Sequence, residues 1–280
     1  MPDIRRLGPD DLDALSDLSE SRSWGRTPQK WAVALAFSDA WGIDDPRGGL
    51  LASITVAHYD GAPDALGAML VRPDHERRGI ATALIGHVLA DAADEPIHLY
   101  ATTYGEPLYR RLGFVDRERV IRHAGTGLTD WSAPPVPAVS LGAPDDDGLE
   151  CLARLDAAAF GADRTPMIEA IGAQPGSLLA VHRDGAAAGI AWHWDDQRII
   201  GPLSAGTADQ AVDLVAALAR GAQRARLDVH DSQLELGAWC TANGLPAAYE
   251  APSLVRPGSD GVVPPPVDVT YRTLASQGFG

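Results

Sequence analysis

Residues 67–82 constrain the fold more than any other stretch of the chain. An apolar run at 67–71 reads as a strand and is stopped by Pro73, which has no N–H to give to a ladder. A short polar, basic turn follows. Gly79 then opens a segment in which Ile80, Leu84, Ile85, Val88 and Leu89 recur at helical spacing. A strand, a tight turn and a helix start gather several unpaired backbone N–H groups, and the helix dipole adds partial positive charge. That combination suits a phosphate or pyrophosphate. Gly79 and Ala81 are small enough to let such a ligand approach the backbone.

Composition narrows the class of partner. The chain has 280 residues, enough for two domains and too many for one comfortable core. A formal net charge of -15 argues against nucleic acid, whose phosphates need a basic face, and is compatible with a cationic amine. Lys30 is the sole lysine. The start of the chain lacks the pattern of a signal peptide, and no apolar run reaches the roughly 20 residues of a membrane span. Cys151 and Cys240 form no zinc spacing and no disulfide framework, and the eight histidines form no ligating pair. The expectation is a cytoplasmic protein without a metal and without a membrane or nucleic-acid partner.

The pattern Val-x-Pro-x-x-x-Arg-x-Gly-Ile-Ala, from Val71 to Ala81, resembles the acyl-CoA pyrophosphate loop of the GNAT superfamily of N-acetyltransferases. Gly79 and Ala81 fit the last two places of that loop. Glu76 stands where the family has Arg or Gln, and a carboxylate there is unfavourable unless it turns away from the pyrophosphate. Arg77 and Arg78 keep the loop net positive. Downstream, a strand at 97–102 is followed by Leu108-Tyr109 and Leu112-Gly113-Phe114, which resemble the family's last motif helix and the turn after it. The resemblance implies that Tyr109 protonates the departing CoA thiolate. It also implies that the backbone of Gly79, Ile80, Ala81 and Thr82 holds the pyrophosphate, while Met69, Leu70 and Val71 pair with pantetheine. A backbone N–H near Leu70 would polarise the thioester carbonyl.

Other elements of the first half follow in order. A strand at 4–7 leads to a helix bearing Leu12, Leu15 and Leu18, and Thr27-Pro28 opens a second helix through Trp31, Leu35 and Phe37. In the family, the loop between these helices lines the acceptor pocket, which makes Trp24 a substrate-side candidate; a packed surface tryptophan is the alternative. A long strand at 50–59 ends at an Asp60-Gly61 hairpin signal, with His58 and Tyr59 as substrate-side candidates beside it. A closing strand is expected at 115–122.

Residues 131–137 are proline-dense and mark a linker. Beyond it the order of elements repeats: a strand near 138–141, two helices, three strands, and a helix at 208–220. The motifs of the first half do not recur. The turn after Leu203 carries no arginine, and Cys240 holds the place of Tyr109, where a buried inert thiol is the commoner state. The tail after 257 either adds an edge strand or stays mobile.

The expected fold is α/β (α+β), two tandem GNAT-like domains, each a mixed and largely antiparallel sheet flanked by helices. The expected organisation is a GNAT domain at 1–130, a linker at 131–137, a degenerate GNAT-like domain at 138–256 and a tail at 257–280. The function expected by resemblance is acetyl-CoA-dependent N-acetylation of a small primary amine by direct attack, in a monomer or homodimer. A non-catalytic acyl-CoA sensor or scaffold, and an enzyme acting on protein or peptide amines, are the alternatives.

Overall fold

The structure, a computed structural model, describes residues 3–92, 95–127, 136–259, 261–263 and 271–279. Most of the proline-rich linker, 131–135, lies outside them. The first half runs β1 (Arg5–Arg6), α1 (Leu12–Ser21), α2 (Pro28–Phe37), β2 (Asp39–Asp44), β3 (Leu50–Ala57), β4 (Asp64–Val71), α3 (Ile80–Asp91), β5 (Ile97–Tyr100), α4 (Glu106–Arg111) and β6 (Val115–Thr126). The second half repeats the scheme with β7 (Val139–Gly142), α5 (Asp146–Phe160), α6 (Thr165–Gly172), β8 (Leu178–His182), β9 (Ala187–Trp194) and β10 (Gln197–Ala205). It continues with α7 (Ala208–Ala219), β11 (Arg224–His230), α8 (Leu234–Ala242), β12 (Ala247–Arg256) and β13 (Tyr271–Thr273). The strand β2 was not expected from the sequence. Its Trp-Gly-Ile core is short, and its flanking aspartates read as loop.

The two halves do not build separate sheets. All thirteen described strands form one sheet in the order β1-β2-β3-β4-β5-β12-β6-β11-β13-β10-β9-β8-β7. The expected closing strand of the first half, β6, pairs with β11 of the second, where Arg122 faces Asp228. In return β12 pairs with β5, where Ser253 faces Tyr100. The exchanged strands then pair with each other at the centre, Val120 against Ala251. Each half thereby lends a strand to the other, β6 from the first and β12 from the second, and neither presents an open edge at the boundary. The helical layer is shared as well. Leu15, Leu18 and Trp31 of the first half pack in one cluster with Leu152, Ile168 and Trp192 of the second.

The tail departs from expectation too. Among the described residues only two strand pairs are parallel, β4–β5 and β10–β11, and each is joined only at its start. In the second half, Arg198 and Ile199 face Ala225 and Arg226, after which β10 and β11 diverge. β13 fills that fork from within, its Thr273 facing Leu203 on one side and Val229 on the other. The described end of the tail, 271–279, is neither an edge strand nor free of the sheet. Its path requires glycine at Gly201 (φ +147°), where a Cβ would sit 2.0 Å from the Leu274 carbonyl oxygen. No helix among the described residues is long and apolar enough to cross a membrane.

Candidate functional site

In the first half, Asp64 and Ala65 face Ile97 and His98, and beyond them β4 and β5 part. The separation coincides with an irregularity in β4: its register against β3 shifts between Ser53 and Thr55, and Ala68 takes φ +46°. The Ser53 hydroxyl donates to the Ala68 carbonyl at 3.1 Å and braces the kink from the buried side. A cleft of about 950 Å³ opens from this fork, lined by Met69, Leu70, Val71, Gly79, Ile80, Ala81 and Thr82.

The loop at the cleft's mouth is shaped for an anion. Gly79 (φ +78°) caps α3 with no side-chain hydrogen bond, and the helical ladder starts only at Ala83 N–H to Gly79 O, 2.9 Å. The N–H groups at the start of α3 therefore have no intrahelical acceptor. Arg77 lines the cleft, whereas Arg78 donates to the Asp74 carbonyl at 3.1 Å and ties the loop to itself instead. Glu76 does not confront a ligand with a free charge. It is ion-paired with Arg22 and accepts from the Tyr104 hydroxyl at 2.6 Å, and the Tyr104 and Arg22 partners hold its carboxyl below the usual range. The Arg22 guanidinium also lies over the Tyr104 ring, 5.7 Å from its centre.

Tyr109 lies on the wall formed by α4 and is 7% exposed. Its ring meets Phe114 edge-on at 5.6 Å, and burial pushes its phenol above the ordinary value. It is a neutral donor throughout the neutral pH range.

The inner end of the cleft is built by both halves. Trp24 stands there, 39% exposed, facing Trp194 and Asp195 from the β9–β10 turn, Arg226 from β11 and Arg122 from β6. Lys30, only 3% exposed, lies among three indole faces: Trp194 at 4.6 Å, Trp24 at 5.0 Å and Trp31 at 5.9 Å. Burial, with Arg226 and Arg122 nearby, lowers the Lys30 ammonium to about 7. Asp195 is held above the usual carboxylate value by burial and by Asp196. Ser276, Gln277 and Gly278 of the tail also line the cleft.

His58 and Tyr59 are not in the cleft. His58 is exposed and lies 2.6 Å from Asp64. Tyr59 packs edge-on to Phe160 of the second half at 5.0 Å and donates to the Phe279 carbonyl at 3.0 Å. The halves reach across each other here: the hairpin turn after β3 packs on the second half, and the matching turn after β9 enters the first half's cleft. Sequence reasoning placed the echo of these turns but not their destinations. It also missed Lys30, although a lone charge in the largely apolar α2 was a usable signal. Cys240 is fully buried, with its thiol pushed up to about 12 by burial, so it supplies no nucleophile.

Comparison with known proteins agrees with this geometry. Residues 37–116 and residues 152–261 each match a family described as an acetyltransferase (GNAT) domain, and together the matches cover more than half of the chain. A mycothiol acetyltransferase of Clavibacter sepedonicus is 32% identical over 171 residues, 53% of each protein. The chain thus spans about half the length of that curated relative. Among solved structures, a candidate acetyltransferase from Pyrococcus horikoshii superposes with a TM-score of 0.78 at 20% identity, covering 99% of this chain and 95% of that one. A tandem GNAT protein from the clavulanic acid biosynthesis pathway gives 0.64 at 16% identity, covering 91% and 98%. The chain belongs to the GNAT superfamily, of the tandem type.

Proposed function

We propose that the chain is an N-acetyltransferase that uses acetyl-CoA to acetylate a primary amine of a small molecule, with one working site in the first half. The observation that carries this reading is the β4–β5 fork running between the uncapped start of α3 and Tyr109. GNAT acetyltransferases take acetyl-CoA as donor. The residues present fit it: Gly79, Ile80, Ala81 and Thr82 offer N–H groups to a pyrophosphate, with Arg77 beside them. Met69, Leu70 and Val71 leave a strand edge facing the fork, where an extended amide-bearing arm can pair.

Acetyl-CoA, when bound, supplies a thioester carbon open to attack by the amine nitrogen. The backbone at the β4 kink near Leu70 polarises the carbonyl oxygen. Tyr109 would give its hydroxyl proton to the sulfur as the C–N bond forms and the C–S bond breaks; the proton shed by the nitrogen would pass to solvent, from which the phenolate is reprotonated. The walls of the cleft hold amine and thioester in reach of each other, an effect worth about 7–11 kcal/mol in favourable cases. The second fork holds β13, which leaves no place there for a donor. The sensor or scaffold alternative draws on Glu76 and on the lost second site, and the pairing of Glu76 with Arg22 and Tyr104 weakens the first of these grounds. The part of the cleft lined by Trp24, Trp194 and the tail has walls from both halves of the chain, which favours a small acceptor over a protein chain.

The test is release of CoA thiol from acetyl-CoA across a panel of small primary amines. Acceptor-dependent release with a matching acetylated product is the expected result. Release that never exceeds thioester hydrolysis would contradict the reading.

A further inference from the structure

The inner end of the cleft is basic in a chain whose net charge is -15. One carboxylate, Asp228, serves three donors there. Arg122 reaches it with Nε at 2.9 Å, Gln277 with Nε2 at 3.2 Å, and Arg226 with Nη2 only at 3.4 Å. Arg226 is 7% exposed, and its Nε is buried with no hydrogen-bond partner among the described residues. Its guanidinium lies 4.6 Å above the Trp194 ring, on which Lys30 Nζ also sits at 4.6 Å. Lys30 itself has ring faces for neighbours and no hydrogen-bond or ion-pair partner among the described residues. Ring faces repay part of the cost of burying an ammonium, and without a counter-charge or hydrogen bonds the rest is borne by stability. A methionine would fill the same space in α2 without that cost. Two neighbouring cations, both more than nine-tenths buried and both short of acceptors, line a cavity large enough for a ligand.

We propose that the acceptor carries an acid group, carboxylate or phosphate, which Lys30 and Arg226 bind at the inner end of the cleft. This rests on the acetyl-transfer reading above and names the substrate class for it. The spacing makes the acceptor compact. A Cβ added to Gly278 would lie 3.9 Å from Lys30 Cε and 4.0 Å from the backbone nitrogen of Ala68, at the β4 kink, so these two atoms are close neighbours across Gly278. With the acid group at Lys30 and the amine next to the β4 kink, a compact acceptor such as an α- or β-amino acid or an aminoalkyl phosphate fits the proposal. The same cations disfavour a protonated amine next to them, which keeps the nucleophile neutral.

The experiment compares acids with their neutral partners as acceptors: glycine, β-alanine and serine against their carboxamides, and O-phosphoethanolamine against ethanolamine. The expected result is a kcat/KM ratio of roughly 30-fold or more in favour of the acid within the carboxylate or the phosphate arm. Lys30→Met and Arg226→Gln should each bring that ratio towards one while acetyl-CoA affinity holds. In parallel, acetate and inorganic phosphate are titrated into the CoA-bound protein and tryptophan fluorescence is followed. A saturable change in the wild type that is lost in Lys30→Met is expected. The melting temperature of Lys30→Met should be equal to or above that of the wild type. A saturable anion response without acetylation of any amine would support the subsite and sink the acetyl-transfer reading. Amides acetylated as well as acids, with no anion response, would overturn the subsite and leave that reading standing. A Lys30→Met protein that melts several degrees lower with an unchanged acid preference would make Lys30 structural and also overturn it.

Discussion

Tyr109→Phe is expected to lower kcat by about 10²–10⁴-fold while the KM for acetyl-CoA stays within a few-fold. The ring is held by its edge-on contact with Phe114, which phenylalanine preserves, so the change isolates the hydroxyl. Burial keeps that hydroxyl protonated well past neutrality. A phenol with a raised pKa remains a donor until the pH passes its raised value. The wild type should therefore hold its kcat through about pH 10, where an ordinary phenol would already be half ionised. Steady-state rates from about pH 6 to 10 for both proteins check this. Equal turnover in the two would mean that water or another group protonates the sulfur.

Gly201→Ala is expected to destabilise the fold by about 2–5 kcal/mol. Its φ of +147° is open to glycine alone, and an added Cβ would meet the backbone oxygen of Leu274 at 2.0 Å, a neighbour that cannot swing aside. The chain would have to move β13 out of the fork between β10 and β11. The effect should spread to the first half. The residues after β13 carry Ser276, Gln277 and Gly278 into the cleft. There Gly67 stands to Gly278 as Gly201 stands to Leu274, since a Cβ on Gly67 would lie 2.0 Å from the Gly278 oxygen. Urea unfolding and acetyl transfer measured on the same preparation check both consequences. A stability change under about 0.5 kcal/mol would show that β13 does not hold the second fork shut.

The parts of this molecule that were legible in the sequence are those specified locally. The passage from β4 to α3 is fixed by Pro73, Gly79 and the apolar spacing that follows, and the structure carries each of these features. The helix with Tyr109 and the turn at Gly113 are equally local. The exchange of β6 and β12 was not legible. Both strands are compatible with either neighbour, and only the whole sheet decides which edge each covers. The tail was misjudged for a related reason: Tyr271–Thr273 reads as an ordinary short strand, and nothing within it says that two strands lie apart to receive it. His58 and Tyr59 were placed at the site because they follow a strand next to the loop. The duplication sends their turn to the second half and brings Trp194 and Asp195 instead. Lys30 stands out in the sequence as a lone charge in the apolar α2, but the cost of placing it there shows only with its burial.

With β13 in the second fork, the proposed function places a single donor site on the loop from Val71 to Thr82. Isothermal titration of acetyl-CoA into the wild type and Gly79→Glu tests this most directly. Glutamate at Gly79 puts a bulky anion at a left-handed position on the mouth of the phosphate cradle. The expected result is a stoichiometry of one in the wild type and no measurable binding in the variant. Two donor molecules per chain, or binding that survives the substitution, would contradict a single donor site on this loop.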